Sequence, residues 1–338
     1  TCCAVAVGCT APDRDPEPGV SRALAEARAR LIRDVHYDVR FRIPSTRDSA
    51  VTGTVTARFT LAEVNDVVLD FRAPASHVLG VRLDGDSVEF SVTPDHIVNP
   101  RHPVRGGGER RETVECRSTD AALNRQDDFM YALFVPDRAS TAFPVFEQPD
   151  LKARFTLSLD IPTGWSALGN GGEVPHEPML VVGTTGAPAA APAQRQRQTL
   201  RFAETEPIST YLFAFSAGRF ITEHAERDGR TLTMYHRETD AAKVARNRDA
   251  IFDLHATALK WLEEYTGIPY PFGKFAFLAV PAFQFGGMEH PGAIWYRADG
   301  LFLDPTATRN QELGRASLIA HETAHMWFGD LVTMRWFN

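Results

Sequence analysis

The sequence predicts two successive structural units, an N-terminal all-β domain and a smaller unit that mixes helices with strands. Alternating polar and apolar residues recur from Val35 onward, and turn residues such as Asp84-Gly85 separate these runs. Long helical patterns begin only after Phe215. A length of 338 residues exceeds one typical domain, which agrees with a division that we place near Gly218.

The first domain is predicted to begin with a short helix over 21–34, a stretch rich in Ala, Leu, Glu and Arg. Strand-like runs follow at 36–43, 51–61, 67–71, 78–83, 87–92, 155–161 and 199–203. The stretches 99–111 and 183–198 are predicted loops because they are rich in Gly, Pro and polar residues. The simplest arrangement of residues 20–217 is a β-sandwich or a curved, saddle-like sheet.

The second unit, 218–338, is predicted to contain two long helices and a buried strand. Asp240 caps a helix over 241–265 that ends at Gly267, and the apolar run 275–280 predicts the strand. A glycine-rich extended segment, 285–292, follows it. The last helix, over 309–328, is predicted by a Thr308/Gln311 capping box. Its apolar face is expected to comprise Leu313, Ala316, Ile319 and Ala320.

Well inside this last predicted helix the chain carries the pattern His-Glu-x-x-His, formed by His321, Glu322 and His325. An α-helix turns once in 3.6 residues, so the two histidines project from one face, one turn apart. Their imidazole nitrogens can bind one tetrahedral zinc ion, and Glu322 can reach a water on the metal as a general base. The spacing therefore predicts the site of a zinc-dependent peptidase.

The pattern alone leaves a simpler alternative open. Roughly a few per cent of chains of this length contain these five positions by chance. The alternative is a pair of surface histidines on an ordinary amphipathic helix, and further motifs have to decide between the two.

Composition narrows the classes of function. The chain has 36 Lys and Arg against 43 Asp and Glu, a net charge of −7, and 43% of its residues are hydrophobic. A mildly acidic chain with scattered basic residues argues against nucleic acid as a partner. No apolar run approaches the about 20 residues that a membrane-spanning helix needs.

The N-terminal residues 1–19 are predicted to be a targeting segment and linker. Ala6-Val7-Gly8-Cys9 follows small apolar residues and resembles the end of a bacterial lipoprotein signal peptide, in which Cys9 is acylated. We therefore expect the cell envelope of a bacterium, with the protein secreted or lipid-anchored and periplasmic or at the surface. The alternative is an unremarkable Ala/Val/Cys-rich terminus. Cys116 stands alone in the rest of the chain, so no internal disulfide is expected there.

Three motifs in this order resemble the membrane alanyl aminopeptidase family of zinc metallopeptidases, in the gluzincin group. The segment 325–334, HMWFGDLVTM, is similar to the family's HxWFGNLVTM. The segment 286–290, GGMEH, is similar to its Gly-Ala-Met-Glu-Asn loop, and 143–153, FPVFEQPDLKA, is similar to its FPCFDEPDLKA. Together the three motifs extend from the β domain to the end of the chain.

The resemblance implies a saddle-like β domain packed on a thermolysin-like catalytic domain, with the site between them. It implies removal of the N-terminal residue of peptides by a zinc-activated water. In the family two histidines and a glutamate hold the zinc, and a tyrosine further on assists catalysis. We expect the third ligand and the tyrosine beyond Asn338, and the 338-residue chain alone to be inactive.

The resemblance also assigns a substrate-binding segment. Glu289 is expected to pair with the free amino terminus of the peptide, and Gly286 and Gly287 allow a peptide to approach the backbone as an added strand. Met288 and His290 belong to the same segment. For Glu289 the alternative is a solvated carboxylate at a strand end.

Three residues depart from the family's pattern. His290 replaces an Asn, Val145 replaces a Cys, and Leu133 stands where many relatives carry a Gln or Glu that helps to hold the amine. Two other functions therefore stay open. One is a related zinc endopeptidase or hydrolase on the same scaffold, and the other is a non-catalytic peptide-binding lipoprotein.

Overall fold

The computed structural model describes residues 18–63, 67–98, 108–175 and 197–336. This part of the chain is mostly β-sheet with a few helices. The α-helices are α1 (Arg22–Leu31), α2 (Ala241–Thr266), α3 (Ala298–Leu301) and α4 (Arg309–Ala324).

The strands fall into four sheets. In chain order they are β1 (Ile32–Arg42), β2 (Thr52–Leu61), β3 (Val68–Asp70), β4 (Val78–Leu83), β5 (Asp86–Ser87), β6 (Ser91–Thr93), β7 (His96–Val98), β8 (Gly108–Arg117), β9 (Leu123–Arg125), β10 (Phe129–Ala132), β11 (Ala153–Pro162), β12 (Ser166–Gly169), β13 (Arg197–Phe202), β14 (Phe215–Gly218), β15 (Ile221–Arg227), β16 (Arg230–His236), β17 (Phe275–Val280), β18 (Gly287–Met288) and β19 (Ile294–Arg297).

The largest sheet has seven strands in the order β13-β11-β1-β2-β8-β4-β5. Its central strand β1 pairs parallel to β11 and antiparallel to β2. A four-stranded sheet, β12-β14-β10-β9, and a three-stranded sheet, β3-β7-β6, complete the β-rich half of the chain. The five-stranded sheet that follows has the order β15-β16-β17-β19-β18.

The core of the β-rich half lies between the seven-stranded and four-stranded sheets. Strand β11 alternates buried and half-buried residues along its whole length, so one face turns inward. Phe41 stacks on Phe215 at 4.9 Å and Phe155 stacks on Phe213 at 4.6 Å, which joins the two layers through aromatic rings. The alternating sequence pattern therefore arises because one face of the strand packs in the core between two layers of β-sheet.

The five-stranded sheet is covered on both faces. All six residues of β17 are buried, and they divide between two cores. Leu278 faces the core of the β-rich half, whereas Phe277 packs in a second core with α2 and α4. Trp295 of β19 donates its indole N–H to the carbonyl of Ala132, 3.0 Å away, and so ties this sheet to β10. Burial on both faces explains the continuous apolar run at 275–280.

The helix boundaries correct the sequence predictions at two places. The first helix ends at Leu31 and not at residue 34, because Ile32 already begins the central strand of the large sheet. The last helix ends at Ala324 and not at residue 328, so the His-Glu-x-x-His pattern lies at its C-terminal end. Its predicted apolar face is also wrong: Ile319 is buried, but Leu313 is 51% exposed.

The strand predictions missed several elements. Residues 108–111, expected in a loop, begin the ten-residue strand β8, and residues 197–198 begin β13. The hairpin of β15 and β16 lies in a region where neither a strand nor a helix had been predicted. The expected strand over 87–92 is divided between β5 and β6.

Sheet membership changes between Gly218, which ends β14, and Ile221, which begins β15. The predicted division into domains near this point stays a prediction. The leader with Cys9 and most of the two predicted loops, 99–107 and 183–196, lie outside the described residues. Within the described ranges, none of the helices combines the length and the apolar character that crossing a membrane requires.

Candidate active site

Helix α4 holds the histidine pair at its C-terminal end. The helix begins with the predicted capping box, in which Thr308 accepts a hydrogen bond from the Gln311 backbone and the Gln311 side chain accepts one from the Thr308 backbone. His321 lies in the last helical turn, and His325 is the C-cap residue. The C-terminal end of a helix carries partial negative charge, so this position favours a cation.

The two imidazole rings lie edge to face, with centroids 4.7 Å apart and planes at 87° to each other. His321 Nε2 and His325 Nε2 lie 3.2 Å apart. On the other side of the His325 ring, Nδ1 lies 3.0 Å from the backbone carbonyl of Phe328. Because a carbonyl only accepts hydrogen bonds, Nδ1 carries the proton and Nε2 keeps its lone pair. His325 is thus held as the tautomer that binds a metal through Nε2.

This geometry fits zinc. Two nitrogens at about 2.0–2.1 Å from a tetrahedral zinc lie about 3.3 Å from each other, close to the observed separation of the two Nε2 atoms. In the described part of the chain no group of three or more His, Cys, Asp or Glu side chains is arranged to hold a metal. Among the described residues, the nitrogens placed to bind a metal here are those of His321 and His325.

Glu322 lies beside the pair but is buried, with 4% of its surface exposed. Burial and the charge of Glu289 raise the pKa of this carboxyl to about 8. Its side chain lies against Gly287: a Cβ atom at Gly287 would come within 2.5 Å of the Glu322 Cγ and Cδ atoms. The glycine therefore leaves the space that the Glu322 carboxyl occupies.

Strand β18 brings the predicted substrate-binding segment to the same place. It pairs antiparallel to β19 and forms the edge of the five-stranded sheet, so its other side has no partner strand among the described residues. Glu289 directly follows this strand and is half-buried. Its charge raises the pKa values of Glu322 and Asp330, which places the three carboxyls in one region. The sequence analysis had assigned both Glu289 and Glu322 to the predicted site.

The other predicted residues of this segment have mainly packing roles in the structure. Met288 is buried, and Gly286 packs beside Leu318 of α4. His290 is fully buried, and burial lowers its pKa to about 3, so the ring is neutral at physiological pH. It packs 5.2 Å from the Trp295 ring. Leu133 is buried as well, in the core of the β-rich half.

Asn170, which the sequence analysis did not single out, supports this segment from the β-rich half. Its side-chain amide donates to the carbonyls of Leu212 and Pro291 at 2.9 and 3.0 Å. Its side-chain oxygen accepts from the Ala214 backbone at 2.7 Å. Gly292, with φ +69°, approaches Asn170 so closely that a Cβ atom would lie 2.4 Å from its carbonyl oxygen. The contacts of Asn170 therefore fix the positions of Pro291 and Gly292, which follow shortly after Glu289.

A second residue that sequence reasoning did not single out is Lys152, at the end of the 143–153 motif. Its ammonium group donates to the backbone carbonyls of Asp330 and Leu331, at 2.7 and 2.9 Å. These carbonyls belong to the turn that follows the histidine pair. The position of Lys152 in the motif was a signal in the sequence that could have drawn attention to it. The sequence could not reveal its partners, because they lie 178 and 179 residues further along the chain.

The structure thus brings together the histidine pair at the end of α4, the adjacent buried Glu322 and the sheet edge that Glu289 follows. Residues 251–338 match the Peptidase family M1 domain. Residues 251–338 thus carry a domain of the M1 peptidase family, in agreement with the resemblance in the chain's motifs.

Several curated proteins are similar to most of this chain. Aminopeptidase N of Streptomyces lividans is 31% identical over 96% of this chain and 37% of the relative. Probable aminopeptidase 2 of Sulfurisphaera tokodaii is 29% identical over 82% of this chain and 34% of the relative. Aminopeptidase N of Lactobacillus helveticus is 29% identical over 90% and 35%. The chain thus spans about a third of the length of these relatives.

Proposed function

We propose that this chain forms part of a zinc-dependent aminopeptidase that removes single residues from the free N-terminus of peptides. The observation that carries the proposal is the 3.2 Å separation of His321 Nε2 and His325 Nε2, with the buried Glu322 beside them. The names of the curated relatives support the same activity. We place this active site between a β domain and a thermolysin-like catalytic domain.

His321 and His325 would hold the zinc, and we expect a third protein ligand beyond Asn338. Zinc would supply Lewis-acid polarisation of the scissile carbonyl and a water acidic enough to lose its proton near neutral pH. A cation beside a carboxyl favours its charged form, and in that form Glu322 would take up this proton and pass it to the leaving amine.

The choice of a free N-terminus is assigned to Glu289. An enzyme that removes only the N-terminal residue needs a fixed negative charge about one residue from the zinc. Glu289 directly follows the edge strand β18, and its charge acts on Glu322. The open side of β18 can pair with the peptide backbone as an added strand, which would align the amino group with the Glu289 carboxylate. Leu133 offers no second polar contact to this amine.

The experiment compares a peptide with its N-acetylated form in the full-length natural protein. For the parent, kcat/KM should be high only with the free amine. For Glu289→Gln, kcat/KM for the free peptide should fall by a factor that corresponds to a few kcal/mol of lost transition-state stabilisation. This is the usual cost of losing a charged partner in a desolvated site. Glu312→Gln removes a carboxylate from the exposed first turn of α4 and serves as the matched control. Equal cleavage of both peptides by the parent would refute the aminopeptidase proposal in favour of an endopeptidase.

We also propose attachment to the bacterial cell envelope through acylation of Cys9. The support is the Ala6-Val7-Gly8-Cys9 pattern. The native protein should partition into the membrane fraction, and Cys9→Ser should release it into the soluble fraction. Mass spectrometry that finds Cys9 unmodified in the native protein would refute the attachment.

A further inference from the structure

Among the described residues of the 143–153 motif, Lys152 is the one that hydrogen-bonds to the turn after α4. Its ammonium group donates to Asp330 O and Leu331 O at 2.7 and 2.9 Å. It directly precedes β11, which belongs to the seven-stranded sheet. Burial lowers the pKa of the Lys152 ammonium, as expected for a group taken out of water to make these contacts. One side chain of the β-rich half thus anchors the turn beside the histidine pair.

The second histidine depends on that turn. His321 lies inside the last turn of α4, but His325 is the cap, where the regular helix has ended. What orients its ring is the Phe328 carbonyl at 3.0 Å from Nδ1. The turn folds back on the cap through the Asp330 backbone N–H, which donates to the His325 carbonyl at 3.0 Å. The orientation of the ring therefore depends on where residues 328–331 lie.

The turn 328–331 also contains a carboxyl group, that of Asp330, which favours movement of the turn out of its buried position. Asp330 is fully buried, and neither of its carboxyl oxygens has a hydrogen-bond partner among the described residues. An unpaired buried carboxyl costs free energy and pulls the turn towards solvent. Lys152 holds the turn against this displacement through its two hydrogen bonds.

We propose that Lys152 is a positioning residue for zinc binding: it fixes the turn 328–331 so that the Phe328 carbonyl keeps His325 in the metal-binding tautomer and orientation. The inference rests on the proposed zinc site and deepens it, because it assigns part of the metal affinity to a residue on the other half of the chain. Outer contacts of this kind that orient a metal-binding histidine change metal affinity by about 10- to 100-fold.

The test measures zinc affinity of the full-length natural protein by competition with a chromophoric chelator. Lys152→Met keeps the apolar stem but removes the donors, and should weaken zinc binding about tenfold, the lower end of the range for such contacts. Lys152→Arg retains the charge and the donors and should restore most of the affinity. Thermal unfolding of the metal-free protein is measured in parallel for every variant.

Lys274→Met is the matched control. Lys274 is a half-buried lysine that likewise donates to two backbone carbonyls, those of Gly169 and Gly171, but among the described residues it makes no hydrogen bond to the turn after α4. Its substitution should lower the unfolding temperature and leave zinc affinity unchanged. If Lys152→Met and Lys274→Met change zinc affinity equally, general loosening explains the effect and the proposal is wrong.

A second variant disturbs the orientation of the His325 ring without touching Lys152. Gly329 has φ +144°, and a Cβ atom there would lie 3.0 Å from His325 Nδ1. Gly329→Ala should therefore disturb the ring and weaken zinc binding as Lys152→Met does. The inference would be wrong if the parent protein binds zinc tightly and both variants, Lys152→Met and Gly329→Ala, have a zinc affinity within twofold of the parent's. Parent protein that binds no zinc would overturn the proposed function itself.

Discussion

Glu147, in the 143–153 motif, should make the protein less stable as the pH rises towards neutrality. Its carboxyl is buried and accepts hydrogen bonds from the Ser140 backbone and the Thr210 hydroxyl. Burial raises its pKa from 4.5 to about 7. The two hydrogen bonds and the charge of Arg72 oppose this rise, while the charge of Asp70 adds to it.

The sign and size of the effect follow from the two pKa values. Between pH 4.5 and 7 the carboxyl loses its proton in the unfolded chain but retains it in the folded protein. The stabilisation is therefore complete below pH 4.5 and is lost as the pH rises through 7. A difference of about 2.5 pKa units corresponds to about 3 kcal/mol of unfolding free energy.

Glu147→Gln should remove this dependence. A glutamine resembles the protonated acid, because its carbonyl can accept from Ser140 while its amide donates to the Thr210 hydroxyl. The measurement is urea-induced unfolding of parent and variant between pH 4.5 and 8. The variant should gain about 3 kcal/mol over the parent across this range. Glu115→Gln, on the exposed face of the seven-stranded sheet, is the control and should follow the parent. A parent-to-variant difference that stays constant with pH would refute the reasoning.

Two further predictions concern the site. Glu322→Gln in the full-length protein should keep its zinc, because Glu322 is not a ligand, while kcat falls by orders of magnitude; near-normal turnover would remove its assignment as general base. Asn170→Ala should cost about 3 kcal/mol or more of stability, because it leaves the Leu212 and Pro291 carbonyls and the Ala214 N–H without their partner. Urea unfolding checks this loss, and a cost below about 1 kcal/mol, the worth of a single ordinary hydrogen bond, would contradict it.

The sequence was sufficient to predict those features that depend on residues close together in the chain. Asp240 caps α2 by accepting from the backbone of Ala242 and Lys243, and Gly267 ends the helix with φ +68°. The Thr308/Gln311 capping box and the strand at 275–280 formed as expected. The spacing of the two histidines also placed them on one face. Each of these depends on contacts within a few residues, where backbone geometry decides the outcome.

The prediction of β8 failed because the strand begins Gly-Glu-Arg-Arg-Glu, whose charged side chains gave no strand signal. Only pairing with β2 and β4 makes it a strand. The hairpin of β15 and β16 is likewise stabilised by its parallel partner β17, about forty residues further along the chain. Strand formation of this kind depends on packing against neighbours more than on intrinsic preference.

The sequence by itself determined the class of the protein and the identity of the histidine pair, because both lie in short motifs. The tertiary structure decided how the pair is supported. It placed His325 at the end of α4 and not inside it, brought Lys152 to the turn that orients it, and fastened Pro291 to Asn170. The physical reason is distance along the chain: these partners are more than a hundred residues apart, so only the packing of the sheets brings them within hydrogen-bond reach.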